Sequence, residues 1–116
     1  MRYLIDFLES QNVQDCFIYE HLKCSHEEAE LLQLMTKEYV VGSVDIAVSD
    51  ILIKLFSENN YEHLKHLPLV KELIEQGWIV QNSFLSSKFV DVSNLVLLNS
   101  TVTLSSAFLK LLEEGT

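Results

Sequence analysis

Positive charge is scarce in this chain. Eight basic residues, of which Arg2 is the sole arginine, stand against seventeen acidic ones, for a formal charge of −9. Proteins that grip a phosphate backbone carry a clustered lysine and arginine footprint, and no basic run exists here. Glycine is nearly as rare. Gly42, Gly77 and Gly115 are the only three, and their spacing excludes both the phosphate-binding loop G-x-x-x-x-G-K-[ST] and the dinucleotide fingerprint G-x-G-x-x-G. Two cysteines, Cys16 and Cys24, make no disulfide framework, and buried free thiols in a reducing cytoplasm are the simpler expectation. No apolar run approaches the ~20 residues of a membrane span. The amino terminus, MRYLIDFLESQ, meets Asp6 and Glu9 too soon for a signal peptide.

What the chain does contain is apolar residues at regular spacing. A hydrophobic fraction of 48% over 116 residues is enough for one domain that buries roughly two thirds of its unfolded surface. Tyr3, Leu4, Phe7 and Leu8 share one side of a short helix over Arg2 to Ser10. Asn12 caps a second, continued by Val13, Cys16, Phe17 and Ile18 toward Leu22 and ending near Lys23. Ser25 and Glu28 form a capping box for a third, with Leu31, Leu32, Met35 and Tyr39 as its stripe.

After a break at Val40 to Gly42, Ser43 and Asp45 start a helix through Val44, Ile46, Val48, Ile51, Leu52, Ile53, Leu55 and Phe56. It is apolar nearly all round and is expected to be the central buried helix, with two strands as the alternative. Tyr61 to His66 reads as a short helix broken at Leu67, because a residue before proline avoids helical angles.

The stretch LPLVKELIEQGWIVQ, Leu67 to Gln81, organises the rest. Pro68 opens a helix where a missing N–H costs nothing; Leu69, Val70, Leu73 and Ile74 line one side; Gly77 ends it in a left-handed turn. Trp78, Ile79 and Val80 then favour a strand. Asn82 to Lys88, with Phe84, Leu85 and Phe89 nearby, reads as loop. Val92 to Leu98 reads as a helix capped by Ser93 or Asn94, or else a strand. Thr101 to Leu104 alternates polar and apolar, as a half-buried strand pairing with Trp78 to Gln81 does. Ser105 or Ser106 caps a last helix carrying Phe108, Leu109, Leu111 and Leu112, stopped by Gly115.

Chemistry is thin. Cys16, His21, Cys24 and His26 are all metal-ligand types but lack paired ligand spacing, so buried cysteine and surface histidine explain them. His63 and His66 share a helical side without a third ligand. Glu27, Glu28 and Glu30 suit a helix start, whereas Glu113 and Glu114 oppose the dipole at a helix end. No serine sits in G-x-S-x-G. The expectation is a non-enzyme with no catalytic residue, cofactor or metal.

The order helix, short helix, helix, glycine, strand over Val44 to Val80 resembles a winged helix-turn-helix domain. The likeness covers about Ser43 to Leu104, with LPLVKELIEQGWIV similar to a recognition helix and the first strand of a wing. GSVDIAVSDILIKLF, LIEQGWIV and the closing NLVLLNSTVTLSSAFLKLLEEGT are also similar to the segment before the nucleotide-binding module of some bacterial AAA-type ATPases. Together these imply an α+β, mostly α, winged-helix-like domain with a small antiparallel β-ribbon. Residues 1–42 would be a helical extension, 43–104 the winged part and 105–116 a closing helix, with a motor beyond Thr116.

The function so implied is a cytoplasmic protein-interaction or regulatory domain, engaging its partner through Lys71, Glu72, Glu75 and Trp78 beside the would-be recognition helix. The alternative is a nucleic-acid-binding regulator using Lys65, Lys71 and Lys88. A third is a homodimer joined through Leu31, Leu32, Met35 and Tyr39.

Overall fold

The computed structural model describes residues 1–82 and 94–116. Seven helices and three strands are present among them. They are α1 (Arg2–Glu9), α2 (Tyr19–Leu22), α3 (His26–Val40), β1 (Ile46–Ala47), α4 (Val48–Leu55), α5 (Leu67–Glu75), β2 (Ile79–Asn82), α6 (Asn94–Leu98), β3 (Thr101–Leu104) and α7 (Ser106–Glu114). Two 3₁₀ segments, Val13–Asp15 and Asn59–His66, connect them. The fold is α+β and mostly α. None of the described helices is long and apolar enough to cross a membrane.

Local chemistry accounts for the boundaries. Ser25 Oγ accepts from the Glu28 N–H at 3.2 Å, and Glu28 Oε1 accepts from the Ser25 N–H at 2.9 Å. This reciprocal capping box satisfies two N–H groups that the helix itself cannot pair. Ser105 caps α7 singly, accepting from the Phe108 N–H at 3.1 Å. Gly77, at φ +84°, ends α5 in the left-handed region, and the chain re-enters extended geometry at once.

The sheet is antiparallel, in the order β1-β3-β2. Ile79 pairs with Leu104 and Asn82 with Thr101, while Ile46 pairs with Val102. The expected ribbon between the Trp78 segment and Thr101 to Leu104 is therefore present, with β1 as an additional strand on the other side of β3. Ile79, Val102 and Leu104 point into the core, joined there by Phe7, Ile18, Leu22, Leu31, Leu32, Met35, Ile51, Leu52, Leu73 and Phe108. Phe108 is an aromatic hub. Phe7 meets it edge-on at 5.8 Å and Trp78 at 6.0 Å, the tilted geometry that ring quadrupoles favour.

Four local expectations need correction. The helix expected after Asn12 is instead a 3₁₀ turn and then α2; Asn12 caps it by accepting from the Gln14 N–H, but Phe17 lies outward at 53% exposure. The helix expected from Ser43 begins only at Val48, because Ile46 and Ala47 are drawn out as β1 by β3. Its Val48, Ile51 and Leu52 are buried, whereas Ile53 and Leu55 are half-buried. Leu67 holds helical angles, φ −56° and ψ −36°, although Pro68 follows. Its side chain is buried, and core packing outweighs the steric preference. Finally, Leu31, Leu32 and Met35 are wholly buried within the chain, so that stripe is not available to a second copy. The readings placed on Ser83 to Ser93, including Phe84, Leu85, Lys88 and Phe89, lie outside the described residues.

Candidate interaction surface

The two sides of α5 differ sharply. Leu67, Val70 and Leu73 are buried against the core, and Ile74 is half-buried beside them. Glu72 and Glu75 are exposed and Lys71 is half-buried on the flank. Positions 68, 72 and 75 follow one another at i, i+4 and i+7, which puts them along one outer stripe. Neither Lys71 nor Glu75 forms an ion pair among the described residues, so their charges are left for solvent or a partner.

The carboxyl end of α5 is tied down by polar contacts to the turn before α3. Trp78 Nε1 donates to the Leu22 carbonyl at 2.9 Å, and Gln76 Nε2 reaches the Lys23 carbonyl at 3.4 Å. Lys23 stands at φ +51°, a left-handed turn that presents both carbonyls. Gln76 Nε2 also lies 3.4 Å from Glu72 Oε1. Of the four residues expected to meet a partner, Lys71, Glu72 and Glu75 thus lie on or beside one outward stripe, while half-buried Trp78 directs its indole N–H inward.

The amino-terminal end of α5 carries a second group of contacts. His66 stacks flat on Phe56, with ring centroids 3.6 Å apart and planes 7° from parallel. Its Nδ1 lies 3.7 Å from Glu27 of α3 and its Nε2 3.7 Å from Glu62. Lys65 Nζ donates to Glu62 at 3.1 Å, and that bond, with a smaller contribution from His66, holds the Glu62 carboxyl below its ordinary pKa. Just upstream, Asn60 and Tyr61 both occupy the left-handed region at φ +55° and +56°. Tyr61 is 73% exposed and Leu64 41%.

Comparison with protein-family models, curated proteins and solved structures found no match.

The cysteine and histidine types noted in the sequence are spread by the fold. Cys16 is buried; Cys24 is half-buried, with its carbonyl 3.4 Å from the Tyr19 hydroxyl. His21 stacks against Phe17, and His26 pairs with Glu30 at 3.2 Å. No group of three or more metal-ligand side chains converges among the described residues. Burial, reinforced by the Glu28 carboxylate, pushes the Cys24 thiol up to about 12, and burial also raises Cys16. Thiols so placed are poor nucleophiles, because the thiolate is the reactive form.

His63 is buried, and its Nδ1 has no hydrogen-bond partner among the described residues. Sequence reasoning missed the junction of His66, Glu27, Glu62 and Phe56. The spacing of His66 from Glu62 is visible on a helix, but Glu27 and Phe56 arrive from other elements.

Proposed function

We propose that this chain is a non-catalytic, winged-helix-like interaction domain that meets a protein partner through the outer stripe of α5. One observation carries the reading: α5 buries Val70 and Leu73 on one side while Glu72 and Glu75 stand exposed on the other, without ion pairs among the described residues. The arrangement around it adds support. α4 and α5, joined by the 3₁₀ segment, lead into β2, which pairs antiparallel with β3 beyond α6, an order similar to the helix, helix, ribbon of a winged helix. A surface with two carboxylates and one flanking lysine repels phosphate and suits a protein with complementary charge. The sequence likeness to segments that precede AAA-type nucleotide-binding modules supports a role in regulating or recruiting for a motor, in a bacterial cytoplasm.

The nucleic-acid alternative relies on Lys65, Lys71 and Lys88. Lys65 is engaged with Glu62 at 3.1 Å, Lys71 is flanked by the exposed Glu72 and Glu75, and Lys88 lies outside the described residues.

The reading is tested by placing a photo-crosslinking amino acid at Glu72 or Glu75 in cells. The expected result is one dominant protein adduct that disappears when Glu72→Lys and Glu75→Lys are combined in a chain crosslinked from Lys71. Equal adducts from a control position such as Lys37, or a salt-sensitive shift of duplex DNA by the purified chain, would overturn it.

A further inference from the structure

We infer that His66 is a proton-operated latch that ties the start of α5 to the first turn of α3, independently of what α5 binds. The ring sits between two carboxylates that belong to different elements: Glu27 from α3 at 3.7 Å from Nδ1, and Glu62 from the 3₁₀ segment at 3.7 Å from Nε2. Phe56, just past the end of α4, fixes the ring plane by stacking at 3.6 Å. A neutral imidazole donates from one nitrogen and accepts at the other, so it serves only one of two flanking carboxylates. A protonated ring donates from both and is attracted to both. Proton uptake thus turns a one-sided contact into a bridge between elements.

Among the described residues, two carboxylates lie within ion-pair range of the ring. From α3 comes Glu27. From its own segment come Glu62 and, on that carboxylate, Lys65 at 3.1 Å. The end of α4 presents the uncharged Phe56 ring, whose face attracts a cation. His63, earlier in the same segment, is buried with Nδ1 unpartnered, and His26 pairs with Glu30 in the first turn of α3. Both of these histidines carry imidazoles as well, so the readout must be a difference attributable to His66.

Latching has a location and a direction. His66 is the residue before α5, and Glu27 lies in the first turn of α3 beyond the Ser25 cap. The bridge holds the entry to the outward stripe of α5 against the helix on which the amino-terminal part of the fold rests. Acid tightens that junction and alkali loosens it.

The test is amide hydrogen exchange of the intact chain at pH 5.5 and pH 8.0, read as protection factors, for wild type, His66→Gln and Glu27→Gln. In wild type the first turns of α3 and α5 gain about two- to five-fold more protection at the lower pH than they do in His66→Gln, the range of partly exposed ion pairs. Glu27→Gln abolishes that gain in α3, and 0.5 M salt reduces it in wild type. Equal pH dependence in wild type and His66→Gln, or in wild type and Glu27→Gln within α3, would overturn the latch. Glu27 is 52% exposed, so its variant keeps the test decisive even where His66→Gln fails to fold.

Discussion

The indole N–H of Trp78 donates to the backbone carbonyl of Leu22 at 2.9 Å, joining residues 56 positions apart in the chain. One side chain thereby fastens the exit of α5 to the turn that precedes α3, while its ring packs edge-on against Phe108 at 6.0 Å. Trp78→Phe keeps most of the packing and loses the hydrogen bond, at an expected cost of about 1–2 kcal/mol. Trp78→Ala loses both and costs about 3–5 kcal/mol. Denaturant midpoints at unchanged slope check the pair; a Trp78→Phe variant as stable as wild type would show that the hydrogen bond adds nothing, and equal losses in the two variants that the ring packing adds nothing.

Gly115 and Gly77 provide a controlled comparison. Both stand in the left-handed region, at φ +78° and +84°, but a Cβ on Gly77 meets open space, whereas one on Gly115 falls 2.7 Å from the Tyr3 ring. Gly77→Ala is expected to cost about 1 kcal/mol from backbone strain alone. Gly115→Ala adds a steric term of about 1–3 kcal/mol, and that added part shrinks in a Tyr3→Leu background. A double-mutant cycle by thermal unfolding measures the coupling between Tyr3 and Gly115.

Removing the Ser25 hydroxyl deletes half of the capping box and leaves the Glu28 N–H without its partner. Ser25→Ala is expected to lose about 1 kcal/mol, and Ser25→Asp, which preserves an acceptor, to recover most of it. Unchanged unfolding of Ser25→Ala would show that the α3 start is held by tertiary contacts instead.

Tyr61 supplies the opposite sign. It holds φ +56° and is 73% exposed, so glycine relieves strain and gives up little packing. Tyr61→Gly is expected to stabilise by up to about 1 kcal/mol. The same variant weakens partner binding if Tyr61 extends the α5 surface, and the crosslinking assay reads that separately.

The thiols set an alkaline limit. Cys24 is pushed up to about 12 from an ordinary 9.0, and Cys16 is raised as well. Below pH 9 both states hold the protons and the thiols have no effect on stability's slope. Above it the unfolded chain releases them while the folded chain does not, so stability falls as pH rises from 9 toward 12. Cys24→Ser flattens that fall, measured by urea unfolding at pH 8 and pH 10.5. In the native chain at pH 8 an aromatic disulfide reagent labels both thiols slowly, and urea accelerates the reaction.

The sequence disclosed those elements whose signals are local. Pro68, Gly77, the Ser25–Glu28 box, the Ser105 cap and the alternation of Thr101 to Leu104 are each readable within a few residues, and the structure places an element boundary or a strand at each. Two misreadings share a cause. Ile46 and Ala47 belong to an apolar run that suits a helix as well as a strand, and only Val102, far along the chain, draws them into extended form. Phe17 looked like a continuation of the Val13 and Cys16 side, but the 3₁₀ turn ahead of it rotates the chain, and its N–H donates to Asp6 Oδ2 at 2.8 Å. The outward Glu72 and Glu75 were legible because a helical period tells inside from outside. The setting of His66 was not, since Glu27 and Phe56 come from α3 and from the end of α4, and no window of sequence contains all three.

The sheet order β1-β3-β2 also sets a schedule. Its first two strands leave the ribosome unpaired with each other, and the strand that joins them is made last, after residues 83–100 have followed. At about 5–20 residues per second, Ile46 and Ile79 wait seconds for Val102 and Leu104. A nascent chain arrested before Thr101 therefore holds two unsatisfied backbone edges at once, the condition under which chaperone capture or aggregation of an unfinished product begins.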